Sequence, residues 1–232
     1  MMLNRNITNH FNWILDNLIP PVMRDNKLLV RLCFWLLFGD KAKYFMEFKN
    51  KAPHLSQEEY KFYYNLLSDK HIKRKTDLNQ QCIDRILSNI IGESTLDVGC
   101  GKGFLSMAMA NRMNMRVVGI DLHIPEHLTQ HSNPLFIEDN IEELPLKDSS
   151  FDNVVCTHTI EHLLNPEKTI KEIRRVAKKK IIIIVPRQRE YRYTFDLHIH
   201  FFPYIFSLQK LMKNEYATCE IIGNDIYYEE WV

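Results

Sequence analysis

Two regimes of hydrophobic patterning meet near residue 90. Beyond residue 93, short apolar runs recur at Thr95–Val98, Arg116–Ile120, Leu135–Ile137, Asn153–Cys156 and Ile181–Val185. Helical stretches fit between several of them, notably Phe104–Met113 and Pro166–Lys178. Continuous apolar runs of this length are the mark of strands buried on both faces, and their alternation with helices predicts a doubly wound, mostly parallel sheet. The pattern changes once more near the end. Pro203–Lys213 predicts a helix, and Ala217–Ile222 and Ile226–Trp231 predict two strands turning at Gly223-Asn224, an antiparallel hairpin.

Before residue 92 the spacing is helical. Trp13, Ile14 and Leu18 give one apolar face, and Ser56 with Glu59 forms a capping-box signature for a helix through Leu67. Asp77 is placed to cap a helix ending near Ile91. Leu28–Phe38, LLVRLCFWLLF, is too short to span a bilayer, which takes about 20 apolar residues, and it contains Arg31. It is expected to be a buried helix, with a lid over a greasy substrate or a membrane-touching surface as the alternatives. The basic run Lys70–Lys75 is read as a solvated linker or a contact to an acidic partner. The expected division is a helical N-terminal extension, 1–91, and an α/β domain, 92–232.

Composition narrows the class without naming it. Of 232 residues, 45% are hydrophobic and 25% charged, ordinary for a globular chain. The formal net charge of +1 gives no global pull toward nucleic acid or an anionic surface. Five scattered cysteines form no CxxC pair, which argues against a zinc ribbon or a disulfide framework and suits a reducing cytoplasm. The N-terminus lacks the basic-then-apolar order of a secretory signal.

Chemistry concentrates at STLDVGCGKGFLSMAMA. Gly99, Gly101 and Gly103 fall within five residues, between an apolar strand and a helix-forming run. Glycines there allow left-handed turns and close approach of a ligand, while the following helix points its free N–H groups back at the loop. A dinucleotide fingerprint needs a third glycine three residues after Gly101, where Phe104 stands. Asp97 precedes the loop, where it could meet a ligand ammonium or fix the turn. The second strand ends at Asp121, 22 residues past Gly99, where a carboxylate can accept from both hydroxyls of a ribose.

These stretches resemble the class I S-adenosylmethionine-dependent methyltransferases, in particular their small-molecule branch. LDVGCGKG resembles the first motif, VVGIDL the second, IEDNIEELPLKDSSFDNVVCTHTIEHL the third and fourth, and NPEKTIKEIRRVAKKKIIIIVP the helix and strand that follow. The likeness is tight over about 92–187. It implies a Rossmann-like fold and S-adenosyl-L-methionine as cofactor. It places Gly99, Cys100, Gly101 and Gly103 against the methionine part with Asp97 near its amino group, and Asp121 with Leu122 at the ribose. Asp139 or Asn140 would take the adenine amino group, since Asn140 stands where the family has Asp, and Ile141 would offer a backbone N–H to the ring. Thr157 and His158 would sit beside the sulfonium. The short stretch between Asp121 and Leu135 leaves room for only a single helical turn.

Methyl transfer to a hydroxyl calls for a base, and histidine suits that near neutral pH. His158, His198 and His200 are the catalytic candidates; His162, in the EHL segment, is expected to be structural. His198 and His200 follow the fifth strand, where loops overlie the ligand end of such sheets. Their i, i+2 spacing suits a metal pair, but no third ligand is evident and none is expected. Arg187, Arg189 and Arg192 interleave with Tyr191 and Tyr193, either to meet an anionic acceptor such as an acidic sugar or as a solvated loop. The reading is methylation of a small-molecule hydroxyl, with no nucleic-acid partner and no transmembrane span. An RNA or protein methyltransferase, or a non-catalytic module of the same fold, remains as the alternative.

Overall fold

The structure of the chain, a computed structural model, describes residues 13–68, 75–113, 115–193 and 196–232. Residues 70–74 of the basic run lie outside them. The chain divides into two compact units, one drawn from 1–74 and 188–203 and the other from 75–187 and 204–232. These units part at 74/75, and residues 188–203 go with the helical part.

The second unit is the predicted α/β domain. Its strands are β1 (Ser94–Val98), β2 (Arg116–Asp121), β3 (Leu135–Glu138), β4 (Phe151–Thr157), β5 (Ala177–Pro186), β6 (Thr218–Ile222) and β7 (Asp225–Trp231). They form one sheet in the order β3-β2-β1-β4-β5-β7-β6. The first five pair in parallel, and β7 slots antiparallel between β5 and β6. The hairpin turn at Gly223-Asn224 joins β6 to β7 as expected, with Ile222 opposite Asp225.

The helical unit contains α1 (Pro21–Arg24), α2 (Lys27–Phe38), α3 (Ala42–Lys51) and α4 (Gln57–Ser68). The α/β unit adds α5 (Gln80–Asn89), α6 (Phe104–Met113), α7 (Pro166–Val176) and α8 (Ile205–Met212). The Ser56/Glu59 capping box forms in both directions: Glu59 N–H donates to Ser56 Oγ at 3.2 Å, and Ser56 N–H to Glu59 Oε2 at 2.8 Å. The stretch after Asp121 holds only a short 3₁₀ turn, Glu126–Leu128.

One face of the sheet, including Val117, Val155, Ile182, Ile184 and Tyr227, packs with Cys82, Ile83, Ile86 and Leu87 of α5 and Leu105 and Met109 of α6. Strand residues alternate faces, so Val154, Ile181 and Ile183 point the other way, and α7 lies against β4 and β5. In the helical unit the centre is aromatic: Phe45 sits 6.0 Å from Phe34 and Phe48 6.1 Å from Tyr60, ring centre to ring centre.

Three expectations are corrected. The cap of α5 is Asn79, whose side-chain oxygen accepts from Cys82 N–H, not Asp77. Helix α7 stops at Val176, because Ala177–Lys180 already belong to β5; Lys180 reaches Asn89 O at 3.0 Å and Glu229 at 2.9 Å, so a lysine-rich run enters a buried strand with its charge paired. Helix α2 forms, but only Phe34 is buried in it.

Candidate functional site

The register places the site. Asp97 lies opposite both Gly119 and Val155, so Asp97, the end of β2 and the end of β4 share one face and one edge of the sheet. Buried apolar strands leave few reasons for a carboxylate there, yet Asp97 is 1% exposed. Its Oδ2 accepts from Ser106 Oγ, on the first turn of α6, at 2.5 Å. Its Oδ1 is buried with no hydrogen-bond partner. Burial pushes Asp97 up to about 7; the Ser106 hydrogen bond opposes this and the neighbouring Asp121 charge adds to it.

The glycine loop is bound to the end of β2. Gly99 and Cys100 donate their N–H groups to Ile120 O at 2.8 and 3.1 Å, and Gly101 N–H donates to Asp121 Oδ2 at 2.8 Å. The glycines have positive φ, 75° at Gly99, 52° at Gly101 and 71° at Gly103. Two are demanded by the protein itself: a Cβ on Gly99 would fall 2.1 Å from Thr159 Oγ1, and one on Gly103 2.7 Å from Phe136. Gly101 is different, because a Cβ there would meet nothing within 4 Å. The loop thus has one open position, where a ligand can approach the backbone.

Asp121 closes the other side. Its Oδ2 accepts from Gly101 N–H and its Oδ1 from His123 N–H at 3.3 Å. Burial raises its pKa, and the N–H groups of Gly101, His123 and Leu122 oppose that rise. Leu122 is half-buried beside it. Asp139 N–H donates to Asp121 O at 3.0 Å, tying the next loop to the same strand end. Within that loop Asp139 Oδ1 accepts from Asn140 N–H at 2.6 Å and Asn140 Oδ1 accepts from Glu142 N–H at 3.0 Å; Asp139 is exposed and Ile141 is buried. Cys100 packs with Ile124, Leu128 and Phe136, and burial raises its thiol far above the usual range, so it is an inert filler.

At the end of β4, Thr157 is half-buried and its carbonyl accepts from Thr159 Oγ1 at 3.0 Å. His158 follows with φ 49°, its N–H held by Ile184 O at 2.8 Å. Its Nε2 lies 3.4 Å from Asp225 Oδ1 and its Nδ1 3.8 Å from Glu161 Oε1. Burial alone lowers its pKa most strongly, but Asp225, Glu161 and Asp77 together outweigh burial and hold it at about 9. It is therefore an imidazolium at neutral pH. Asp225 is fixed in turn by Asn79 Nδ2 at 2.8 Å. The sequence reading missed Asp225 and Asn79. The only signal for Asp225 was an acid straight after the hairpin turn, at the start of the strand.

His198 and His200 lie in the helical unit. His198, 9% exposed, has Nδ1 2.6 Å from Gln188 Oε1, and Gln188 Nε2 donates to Asp196 Oδ2 at 3.0 Å. Gln188 Oε1 and Asp196 Oδ2, the latter 3.4 Å away, both face His198 Nδ1 and fix the orientation of the ring. His200 is half-buried. The tyrosines of the same segment are structural: Tyr191 is buried, its hydroxyl donating to Asp16 at 2.6 Å, and Tyr193 is buried beneath the Arg192 guanidinium. Arg187, Arg189 and Arg192 are exposed. His162 is half-buried in the Ile160–His162 turn.

The strand order and the loop find their counterpart in known proteins. Residues 96–185 match the model of a methyltransferase domain. The chain is 33% identical over 102 residues to a ubiquinone biosynthesis O-methyltransferase of Pseudomonas syringae pv. tomato, covering 39% of this chain and 42% of that protein. It is 33% identical over 100 residues to an ajmaline N-methyltransferase of Rauvolfia serpentina, covering 39% and 34%. The chain thus spans well under half the length of these relatives. A crystal structure of a SAM-dependent methyltransferase from Aquifex aeolicus shares the fold, with a TM-score of 0.53 and 18% identity over 75% of this chain and 98% of that one. Among the described residues no helix is long and apolar enough to cross a membrane.

The residues at the loop fit S-adenosylmethionine, the cofactor the resemblance implies. A buried carboxylate oxygen on Asp97 lacks a partner, a loop backbone stands open at Gly101, and a second carboxylate ends β2. Asp97, Gly99, Gly101, Gly103, Asp121 and Asp139 gather round the ends of β1 to β3, and Thr157 and His158 stand at the end of the adjoining β4.

Proposed function

We propose that the chain transfers a methyl group from S-adenosylmethionine to a hydroxyl oxygen of a small-molecule acceptor. The observation that carries the reading is the partnerless Oδ1 of Asp97, 1% exposed at the C-terminal half of β1. A bare buried carboxylate oxygen is costly, and a ligand ammonium is the partner it lacks. In this reading Asp97 takes the amino group, the loop from Gly99 through Cys100 to Gly103 faces the methionine part, and Asp121 with Leu122 takes the ribose. Asp139, which is exposed and has a second carboxylate oxygen beyond the one bound to Asn140 N–H, takes the adenine amino group in preference to Asn140, whose single side-chain oxygen is used in the turn. Ile141 and Thr157 line the adenine and sulfonium ends.

When bound, the cofactor supplies a methyl group already activated by positive sulfur, so the chain's task is alignment, exclusion of water and removal of a proton. Of the three candidate histidines we assign the base to His198, whose ring is oriented by Gln188 through Nδ1. His158 is already protonated, so we assign it to electrostatics and positioning. His200 remains the second candidate base in the same segment. The helical unit is proposed to bind or cover the acceptor, and the exposed Arg187, Arg189 and Arg192 to favour an acceptor carrying a carboxylate or phosphate, such as an acidic sugar.

The test is turnover. The full chain is incubated with methyl-labelled S-adenosylmethionine and a panel of phenolic, sugar and amine acceptors, each with and without an acidic group. Label is expected in a hydroxylated product, with higher kcat/KM for the acidic member of a pair. Transfer only to amines, or to RNA or protein, would overturn the acceptor assignment.

A further inference from the structure

Helix α2 contradicts the usual relation between composition and burial. Ten of its twelve residues are apolar, Lys27 and Arg31 being the exceptions. A helix apolar on all sides belongs in a protein interior. Here only the stripe Val30, Phe34 and Phe38, at i, i+4 and i+8, turns inward, and Phe34 alone is fully buried. The opposite side carries Leu28, Leu29, Leu32, Trp35 and Leu36, between 45% and 79% exposed. The turn before it adds Val22 and Met23, and together with Asn26 and three of the leucines they line a shallow groove of roughly 550 Å³.

Charge argues for what covers this face. Residues 21–51 hold seven Lys and Arg against three Asp and Glu, although the whole chain carries only +1, so the remainder is net acidic. Lys27, Arg31 and Lys43 are exposed and make no salt bridge among the described residues, Lys43 lying over the Tyr44 ring. Lys27 and Arg31 stand one turn apart at the flank of the apolar face, where long cationic side chains reach up to head groups while the leucines go deeper. Trp35, and Trp13 ahead of α1, are both more than half exposed; indole rings favour the water–hydrocarbon boundary. A second copy of the chain would bring the same cationic flank against itself. An anionic bilayer needs no matching shape and is attracted by that flank.

We propose that α1 and α2 form a peripheral contact to anionic lipid, with the outward face of α2 lying in the head-group boundary. The inference is independent of the methyltransferase reading. It is tested by sedimenting the full chain with vesicles of phosphatidylcholine alone and with phosphatidylcholine containing about a third phosphatidylglycerol, alongside L32E, L36E and their pair. Both leucines are exposed, so circular dichroism should show the variants folded. The expected result is binding to the anionic vesicles, a blue shift of tryptophan emission, weakening with salt, and at least about a tenfold loss of partitioning in the pair. No vesicle binding, or equal binding by the folded pair, would overturn the proposal. So would a concentration-dependent dimer that the pair abolishes without any vesicle binding, which would assign the face to a second copy.

Discussion

Nε2 of His158 lies 3.4 Å from Oδ1 of Asp225, joining the end of β4 to the start of β7 through a buried charge pair. The pair explains how a histidine with a left-handed backbone is kept charged at about 9 despite its burial. Its folded pKa is raised above the unfolded value of 6.5, so the pair stabilises fully below that value. The contribution is lost as pH rises from 6.5 through about 9. In D225N, burial acts with less opposition, and the His158 pKa measured by NMR titration should fall by at least about one unit. A pKa left in place would mean that Glu161 and Asp77 suffice without Asp225.

Asp97 titrates in the same sense, at lower pH. Its pKa is raised to about 7, so the apoprotein keeps it partly protonated at neutral pH, and stability falls as pH climbs from about 4 to 7. A ligand ammonium needs the carboxylate, so affinity for S-adenosylmethionine should tighten as pH rises from about 6 to 7.5, with a proton released on binding. Calorimetry in two buffers of different ionisation enthalpy reads that proton. In D97N the affinity should be weaker and flat with pH over this range.

The glycines separate folding from binding. Gly99→Ala must displace Thr159 and should unfold the chain or lower its Tm sharply. Gly101→Ala has room for the methyl group and costs only the left-handed backbone, about 1–2 kcal/mol. Its Tm should drop modestly while cofactor binding is lost, because the methyl group occupies the space left for the ligand. Retained binding in folded Gly101→Ala would show that the ligand does not approach there.

His198 and Gln188 should act as a base and its positioning residue. H198A is expected to lower kcat by about two to four orders of magnitude with little change in cofactor affinity. In Q188L the ring loses the Gln188 hydrogen bond, so the acid limb of the pH–kcat profile should move, and Q188E should restore a hydrogen bond. A profile unchanged in both variants would give the base role to His200.

Much of this was legible in the sequence because local chemistry and tertiary need agree there. Five apolar runs gave the parallel strands, and Gly223-Asn224 marked the hairpin, since only that turn fits two alternating runs. What was not legible depends on partners far along the chain. β5 begins four residues before its apolar run because Lys180 meets Glu229, and α5 is capped by Asn79 because its amide also reaches Asp225. Helix α2 misled for a physical reason: apolar composition says that a face avoids water, not that this chain covers it. The charge of His158 could not be read at all, because it is set by a carboxylate 67 positions away.

The most direct measurement is calorimetric titration of the full chain with S-adenosylmethionine, with S-adenosylhomocysteine and with NAD, repeated on D121A. The account predicts one saturable adenosyl site per chain, no heat from NAD, and affinity at least about tenfold weaker in a folded D121A protein. Saturable NAD binding with no response to either adenosyl compound would contradict it.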